Sequence, residues 1–172
     1  MRRVEYKYCP LCATPLEERT IYRQQRLVCP ACHFVHFTDP KVAVIALVTH
    51  GDRVLLARRA VNPAKGQWAL PGGYMDAGEI PEVALQRELH EELSLDIQVV
   101  QLLDVFPMVV MPGRNQGIVL AYHAMPADAQ RIEFVCDDDV CEAGWFTADQ
   151  LPSELAFDST LALLERWRTD KL

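Results

Sequence analysis

No stretch of this sequence stays apolar for long enough to cross a bilayer. The longest strongly hydrophobic run, Val42–Val48, has seven residues, where a spanning helix needs roughly 20. Positive charge is in deficit: 17 Lys and Arg stand against 24 Asp and Glu, for a formal net charge of −7. That balance disfavours broad contact with a polyanionic duplex unless the basic residues cluster. Glycine (8) and proline (11) are too sparse for a collagenous or low-complexity chain, and no internal repeat is visible. The first eight residues carry Arg2 and Arg3 with no apolar stretch behind them, so they do not read as a secretory signal and the expected compartment is the cytoplasm. What is present is a chain of 172 residues, half of them hydrophobic, sufficient for one ordinary domain and a small appendage.

Six cysteines are present, and four form the pairs Cys9-x2-Cys12 and Cys29-x2-Cys32 with sixteen residues between them. This spacing reads as a structural zinc site of four thiolates, which leaves no open position for water. Disulfides or free thiols are the alternatives, and a reducing compartment argues against the first. Each pair has Pro after its first Cys, Pro10 and Pro30, and the branched and aromatic residues between the pairs suit a short hairpin over Arg19–Val28. So short a segment has little core, so metal binding would supply most of its folding free energy. Cys136 and Cys141 lack this pattern and read as buried or idle thiols. His33 and His36 read as surface or packing residues beside an already complete set of ligands.

The chain breaks at Thr38-Asp39-Pro40, which predicts a ribbon over residues 1–38 and a second domain over 39–172. Val42–Val48 and Arg53–Arg59 read as strands of a hairpin turning at His50-Gly51-Asp52. Ile80–Leu93 reads as a helix, Ile97–Val105, Gly117–Ala124 and Glu142–Phe146 as strands, and Ser159–Trp167 as a closing helix.

Chemistry is densest between Leu70 and Leu95. At 100° per residue, Leu85, Leu89 and Leu93 fall within about 80° of one another, and Glu88, Glu91 and Glu92 span an adjoining arc of about 100°. Three glutamates beside a buried stripe repel one another unless something cationic sits among them. A hard divalent ion answers this, because Mg²⁺ prefers oxygen ligands and is usually completed by substrate phosphates. Gly72 and Gly73 allow backbone oxygens close to such an ion, and Pro81 suits the first turn of the helix. Taken alone, the helix also reads as a solvated acidic face with Arg87 and Arg58 or Arg59 as surface partners.

Gly73, then Glu79 after five residues, then Arg87-Glu88-Leu89-x-Glu91-Glu92-x-Ser94-Leu95 after seven more, resembles the signature of the Nudix hydrolases. It departs at one position, Ser94, where the signature has Gly. The flanks Gly66-Gln67-Trp68-x-Leu70-Pro71-Gly72-Gly73 and Glu142-Ala143-Gly144-Trp145-Phe146 are similar to the family's surroundings. The paired cysteines followed by Phe37-Thr38-Asp39-Pro40-Lys41 resemble the zinc-ribbon subgroup, which includes the NADH pyrophosphatases. That group's Ser-Gln-Pro-Trp-Pro-Phe-Pro stretch is replaced here by Leu103-Asp104-Val105-Phe106-Pro107-Met108, so the resemblance does not extend to NADH specificity.

The resemblance implies an α/β fold, a Nudix α/β/α sandwich with a mixed sheet, preceded by a small N-terminal β zinc ribbon. It implies Mg²⁺ (or Mn²⁺) as the catalytic ion, with Glu88, Glu91, Glu92 and the Gly72 backbone as ligands, and structural zinc on Cys9, Cys12, Cys29 and Cys32. Glu88 is also a candidate base, Arg87 would orient the carboxylates with Glu79 as its partner, and Glu142 is a candidate further ligand or base. The expected reaction is hydrolysis of a pyrophosphate joining a nucleoside to another moiety, as in ADP-ribose, FAD or NAD(H). A different class of reading is a non-catalytic nucleotide-sensing or interaction protein that uses the ribbon for partner contact. The expected partner is a small nucleotide, without membrane or nucleic acid, and a homodimer fits relatives of this kind. Arg19, Arg23 and Arg26 leave a modest opening for nucleic acid on the ribbon. Asp137-Asp138-Asp139 reads as a solvated loop, because three consecutive acids cannot all face one ion. Trp68 reads as packing under the glycine loop, and His50, His90 and His123 as non-catalytic.

Overall fold

The computed structural model describes residues 6–111 and 114–169. Residues 1–5 and 170–172, which the sequence assigns to the two predicted domains, lie outside the described residues. The chain divides into two compact units, Met1–Asp39 and Pro40–Leu172.

The first unit is a three-stranded antiparallel sheet of β1 (Glu17–Ile21), β2 (Gln24–Val28) and β3 (Val35–His36), in the order β1-β2-β3. The expected hairpin is β1–β2, with Ile21 opposite Gln24 across the two-residue turn. Its interior is small, with Cys9, Val28 and Cys29 buried.

The second unit contains β4 (Lys41–His50), β5 (Arg53–Arg59), β6 (Trp68–Ala69), β7 (Gly72–Tyr74), α1 (Pro81–Leu93), β8 (Ile97–Met111), β9 (Arg114–Pro126), β10 (Val140–Thr147) and α2 (Asp158–Arg168). Its sheet is mixed and runs β10-β5-β4-β9-β8, with β6 added on β5 and β7 on β4. The β4–β9 pairing is parallel and the others are antiparallel. Strand alternation explains the unbroken apolar run in β4. Val44, Ala46 and Val48 join Leu85, Leu89 and Leu93 of α1 in one core, while Leu47 joins Leu163 and Leu164 of α2 in another. β5 splits the same way, Leu55 and Ala57 toward the first core and Val54 and Leu56 toward the second. Both faces of the sheet are therefore covered, so its central strands are apolar throughout rather than alternating. This is an α/β/α sandwich. No helix among the described residues is long and apolar enough to cross a membrane.

The predicted β4–β5 hairpin is paired only at its tip, Thr49 with Val54 and His50 with Arg53. Beyond the tip the strands part. Ala43–Ile45 pair instead with Gly72–Tyr74, and Ala57 and Arg58 with Ala69 and Trp68. The parting lets the glycine loop enter the sheet beside α1, which is what places a site there.

Candidate functional site

Helix α1 begins at Pro81, which is preset for a first turn, with Ile80 as N-cap and no side-chain cap. It ends at Ser94, which takes the left-handed conformation (φ 51°, ψ 30°) and whose N–H turns back to the carbonyls of His90 and Leu89. The position is thus the left-handed one that a glycine usually serves, with Ser in its place.

The three glutamates of α1 occupy different environments. Glu92 is 3% exposed and belongs to the buried side of the helix. Its Oε2 accepts a hydrogen bond from the Gly72 N–H at 3.1 Å. Burial first, then the facing Asp139 carboxyl, push its pKa up to about 9. Glu88 is largely covered and is also shifted upward, by burial against the opposing pull of Arg87. Glu91 is half-exposed, its side chain 50% open to solvent.

Arg87 ties this side of the helix together. Its Nε and Nη2 form a two-pronged contact with Glu79 at 2.8 and 2.9 Å. Its Nη1 reaches Glu88 and Glu91, both at 2.9 Å, and Nη2 also donates to the Tyr74 carbonyl at 3.1 Å. Arg87, and then the Asp76 N–H, hold the Glu79 carboxyl down at about 2. One guanidinium therefore clamps the loop before α1 to two acids on the helix.

The glycine loop is fitted to these acids. A side chain at Gly73 would collide with the Glu88 carboxylate, and one at Gly72 (φ 138°) would collide with the Val44 carbonyl across the β4–β7 pairing. The absence of Cβ at Gly73 is what admits Glu88 to this position.

Beside the acids lies a cavity of about 630 Å³, a size suited to a nucleotide-scale ligand. Gly72, Gly73 and Tyr74 form one wall, Ile45, Phe106, Met108 and Val119 an apolar one, and Phe157 and Asp158 at the start of α2 another. Two further residues on its lining, Arg59 and Asp139, escape the sequence reading. Arg59 is the one cation lining the cavity among the described residues. Its Nε donates to the Pro63 carbonyl at 2.7 Å, its guanidinium lies 5.4 Å over the Phe157 ring, and Nη2 stands 3.7 Å from Asp139. Strand parity could have found it, because Arg59 continues the Leu55 and Ala57 face toward α1. Asp139 corrects the reading of Asp137-Asp138-Asp139 as a wholly solvated loop. Asp137 and Asp138 are exposed, while Asp139 is half-buried on the cavity, close enough to Glu92 and Glu88 to raise both.

Glu142 is placed differently from the other acids. It sits opposite Arg58 in the β10–β5 pairing, held by that guanidinium at 3.1 Å with both side chains open to solvent, and it does not line the cavity. Trp68 packs edge-on against Phe146, with ring centroids 5.1 Å apart, in the core beneath α2. His123 is hydrogen-bonded to Thr49 at 2.9 Å and His90 to Asp96 at 3.0 Å, neither at the acidic cluster.

In the ribbon the sulfurs of Cys9, Cys12, Cys29 and Cys32 all lie within 4.8 Å of one another. The closest pairs are 3.5 to 3.6 Å apart, against about 3.8 Å for a tetrahedron with metal–sulfur bonds near 2.3 Å. The two knuckles repeat one geometry. The backbone carbonyls of Cys9 and Cys29 accept bonds from the Ala13 and His33 amides, and Ala13 and His33 both have positive φ (58° and 60°). Among the described residues no trio of carboxylates brings its oxygens within 4.8 Å of one another.

The NUDIX domain family matches residues 39–166, and the Nudix N-terminal (zinc ribbon) family matches residues 7–38. The NAD-capped RNA hydrolase NudC of Stutzerimonas stutzeri is 29% identical over 153 residues, covering 87% of this chain and 51% of that protein. The chain thus spans about half the length of that relative. The ADP-ribose pyrophosphatase of Methanocaldococcus jannaschii is 34% identical over 134 residues, with 77% of each chain covered. Among solved structures, a NUDIX hydrolase from Nitrosomonas europaea superposes with a TM-score of 0.85 at 25% identity, covering 96% of this chain and 92% of that one.

Proposed function

This chain belongs to the NUDIX domain family, and from that premise we propose that it is a divalent-cation-dependent hydrolase of the diphosphate linkage in a nucleoside diphosphate joined to a second moiety. ADP-ribose, FAD and NAD(H) are the candidate substrates. The observation that carries this reading is the placement of Glu92 and Asp139, two carboxyls facing each other at the edge of a nucleotide-sized cavity, with Glu92 pushed up to about 9. A buried carboxyl facing a second one, with only the Gly72 N–H on the first and Arg59 at 3.7 Å from the second, is unfavourable by itself and fits a donor set for a hard cation. Glu88, Glu91, Glu92 and Asp139, with the Gly72 backbone, would hold Mg²⁺ or Mn²⁺. Bound there, the ion would neutralise charge on the attacking and leaving oxygens and lower the pKa of a coordinated water.

The residues of the chain divide the remaining work. Glu88, whose proton affinity burial raises against the pull of Arg87, is the proposed general base for the attacking water. Arg87 is a positioning residue that keeps Glu88 and Glu91 aimed from the helix and ties them to Glu79. Arg59 binds non-bridging oxygens of the phosphate away from the ion, using the guanidinium nitrogens that Pro63 leaves free. The apolar wall with Tyr74, Phe106 and Phe157 receives the base or the second moiety. In the ribbon, zinc on the four thiolates would be structural.

The test is a panel of ADP-ribose, FAD, NADH and nucleoside triphosphates incubated with Mg²⁺, the products identified for the native chain and for Glu92→Gln. Cleavage of at least one diphosphate to a nucleoside monophosphate, lost in the variant, is expected. Equal trace rates for both proteins on every compound would sink the proposal, and tight binding without turnover would favour a nucleotide sensor.

A further inference from the structure

We propose that Cys136 and Cys141 form a redox-modification site: joined as a disulfide, they draw Asp139 away from Glu92 and loosen the hold of the acidic site on its divalent ion. The effect on hydrolysis rests on the function proposed above, whereas the disulfide and the displacement do not. The sequence reading takes both cysteines for buried or idle thiols. Cys136 is instead half-buried at the edge of the core that α1 shares, and Cys141 is exposed. Between them stand only Asp137, Asp138, Asp139 and Val140. The acid that faces Glu92 therefore lies inside the loop that these two sulfurs would close.

Cysteines this far apart in sequence meet only where the chain reverses, and here it does. The Val140 N–H donates to the Asp137 carbonyl at 3.1 Å, and Asp138 has positive φ (52°), as in the turns that close hairpins. In a hairpin the next pair out from such a turn has its Cα atoms about 4.5 Å apart, inside the roughly 4.4–6.8 Å that a disulfide spans. The chain before the turn also runs back beside β10, where the Trp145 indole N–H donates to the Ile132 carbonyl at 3.0 Å. Burial, and after it the charges of Cys141 and Glu142, hold the Cys136 thiol above its usual range, which marks these side chains as neighbours. The Cys141 Sγ is turned to the Arg58 carbonyl, 3.4 Å away, so the two thiols are near each other and unjoined.

The two cysteines are unequally anchored. On one side the Val135 and Asp137 amides donate to the Leu93 and Glu92 carbonyls at 3.0 and 2.9 Å, tying Cys136 to the end of α1. On the other, Cys141 is the extra residue of a β-bulge between Val140 and Glu142, an unpaired position where the ladder is already broken. Oxidation therefore draws Cys141 toward Cys136 and tightens the turn, with Asp139 at its corner. Asp139 is held by its carbonyl, which accepts the Ala60 N–H at 2.7 Å, and by Arg59, 3.7 Å from its carboxylate. Both contacts reach the end of β5, the strand from which Cys141 swings away. The oxidant is a peroxide. The exposed Cys141 sulfur, as thiolate, attacks one peroxide oxygen and breaks the O–O bond, giving a sulfenic acid, and the departing hydroxide takes the proton that the thiol gave up. The Cys136 sulfur then attacks the Cys141 sulfur and expels its hydroxyl, which leaves as water with the Cys136 proton. Two thiols lose two electrons and two protons, one hydrogen peroxide becomes two waters, and a dithiol reverses the change.

The experiment treats the full zinc-loaded chain with one equivalent of hydrogen peroxide, maps its disulfides by peptide mass, and repeats this with Cys141→Ser. The expected product is a disulfide between Cys136 and Cys141, absent in the variant and removed by dithiothreitol, with the ribbon thiols unaltered. In the oxidised chain the Ala60 amide should exchange with solvent about tenfold faster, and Mn²⁺, followed by its electron paramagnetic resonance, should bind about tenfold more weakly. Hydrolysis at subsaturating Mn²⁺ should fall by a similar factor and return on reduction, while Cys141→Ser keeps the activity of the reduced native chain before and after peroxide. Sulfinic acid or pairing between chains in place of the internal disulfide would overturn the proposal. So would a disulfide that leaves Ala60 exchange and Mn²⁺ affinity within twofold of the reduced chain, or an equal loss of Mn²⁺ affinity in peroxide-treated Cys141→Ser. A reduced chain that binds no Mn²⁺ and cleaves nothing would sink the proposed function alone, and the disulfide and the Ala60 amide would still decide whether oxidation moves the loop.

Discussion

Glu92 shows how one side chain joins chemistry and stability. An unfolded carboxyl titrates near 4.5, and burial beside Asp139 pushes this one up to about 9, so the native state holds more protons than the unfolded state across that window. Metal-free stability is therefore full below the unfolded value and declines as pH rises toward 9. Glu92→Gln removes this burden. In the presence of a chelator its thermal midpoint should exceed that of the native chain by about 5 °C at pH 8.5 and by about zero at pH 5, while turnover falls about 10²- to 10⁴-fold. A midpoint that fell at both pH values would show that Glu92 is an ordinary packing residue. Glu79 has the opposite sign. Its carboxyl, held at about 2 by Arg87, contributes stability above its unfolded value and loses it as pH falls through 2. Arg59→Met should raise KM by about 10- to 100-fold with a smaller change in kcat if the guanidinium grips a phosphate, and a pure kcat loss would assign it elsewhere. Glu88, Glu91, Glu92 and Arg87 were legible because they recur at helix spacing, and Glu79 because its place before them resembles the Nudix signature. Arg59 and Asp139 were not: alternation along β5 separates Arg59 from Arg58 without saying that its face borders a cavity, and nothing local distinguishes Asp139 from Asp137 and Asp138 until strands from distant parts of the chain enclose them.

Helix α1 is placed by both of its ends. At the C-terminus Ser94 occupies a left-handed position, so Ser94→Gly should stabilise the domain by about 1 kcal/mol in denaturant unfolding, with catalysis unchanged. At the loop that faces the helix, Gly73→Ala should keep the fold but displace the Glu88 carboxylate, reducing kcat about 10²-fold. If kcat stayed within twofold, Glu88 would not be needed where it now sits. The helix and its faces could be read from periodicity. The partial hairpin of β4 and β5 could not, because two apolar strands joined by a tight turn ordinarily pair along their length. Here β6 and β7 compete for the same backbone groups and win beyond the tip. That competition brings Gly72 and Gly73 against α1 and opens the cavity.

At the scale of the whole molecule, two units with unlike sources of stability share one chain. The second unit has a core on each face of its sheet. The first has, among its described residues, three buried apolar or sulfur-bearing ones, two of them cysteines of the cluster. Removal of metal by a strong chelator at neutral pH should unfold the ribbon and release about one zinc per chain, leaving the far-ultraviolet signal of the second unit and its cooperative melt in place. Loss of both transitions together would mean that the units do not fold independently.

The sequence by itself determined the family, the two-unit plan, the four-cysteine cluster and the acidic helix, because each is written in short-range spacing: Cys-x2-Cys knuckles, a 3.6-residue period, a glycine loop leading into a proline-started helix. Only the tertiary structure decided that Glu92 is buried while Glu91 is not, that Asp139 joins the acids while Glu142 is held by Arg58, and that Arg59 lines the cavity. Those outcomes depend on which strands become neighbours. Neighbouring strands are chosen by a contest for hydrogen bonds and apolar contacts over the whole sheet, and no single segment records its result.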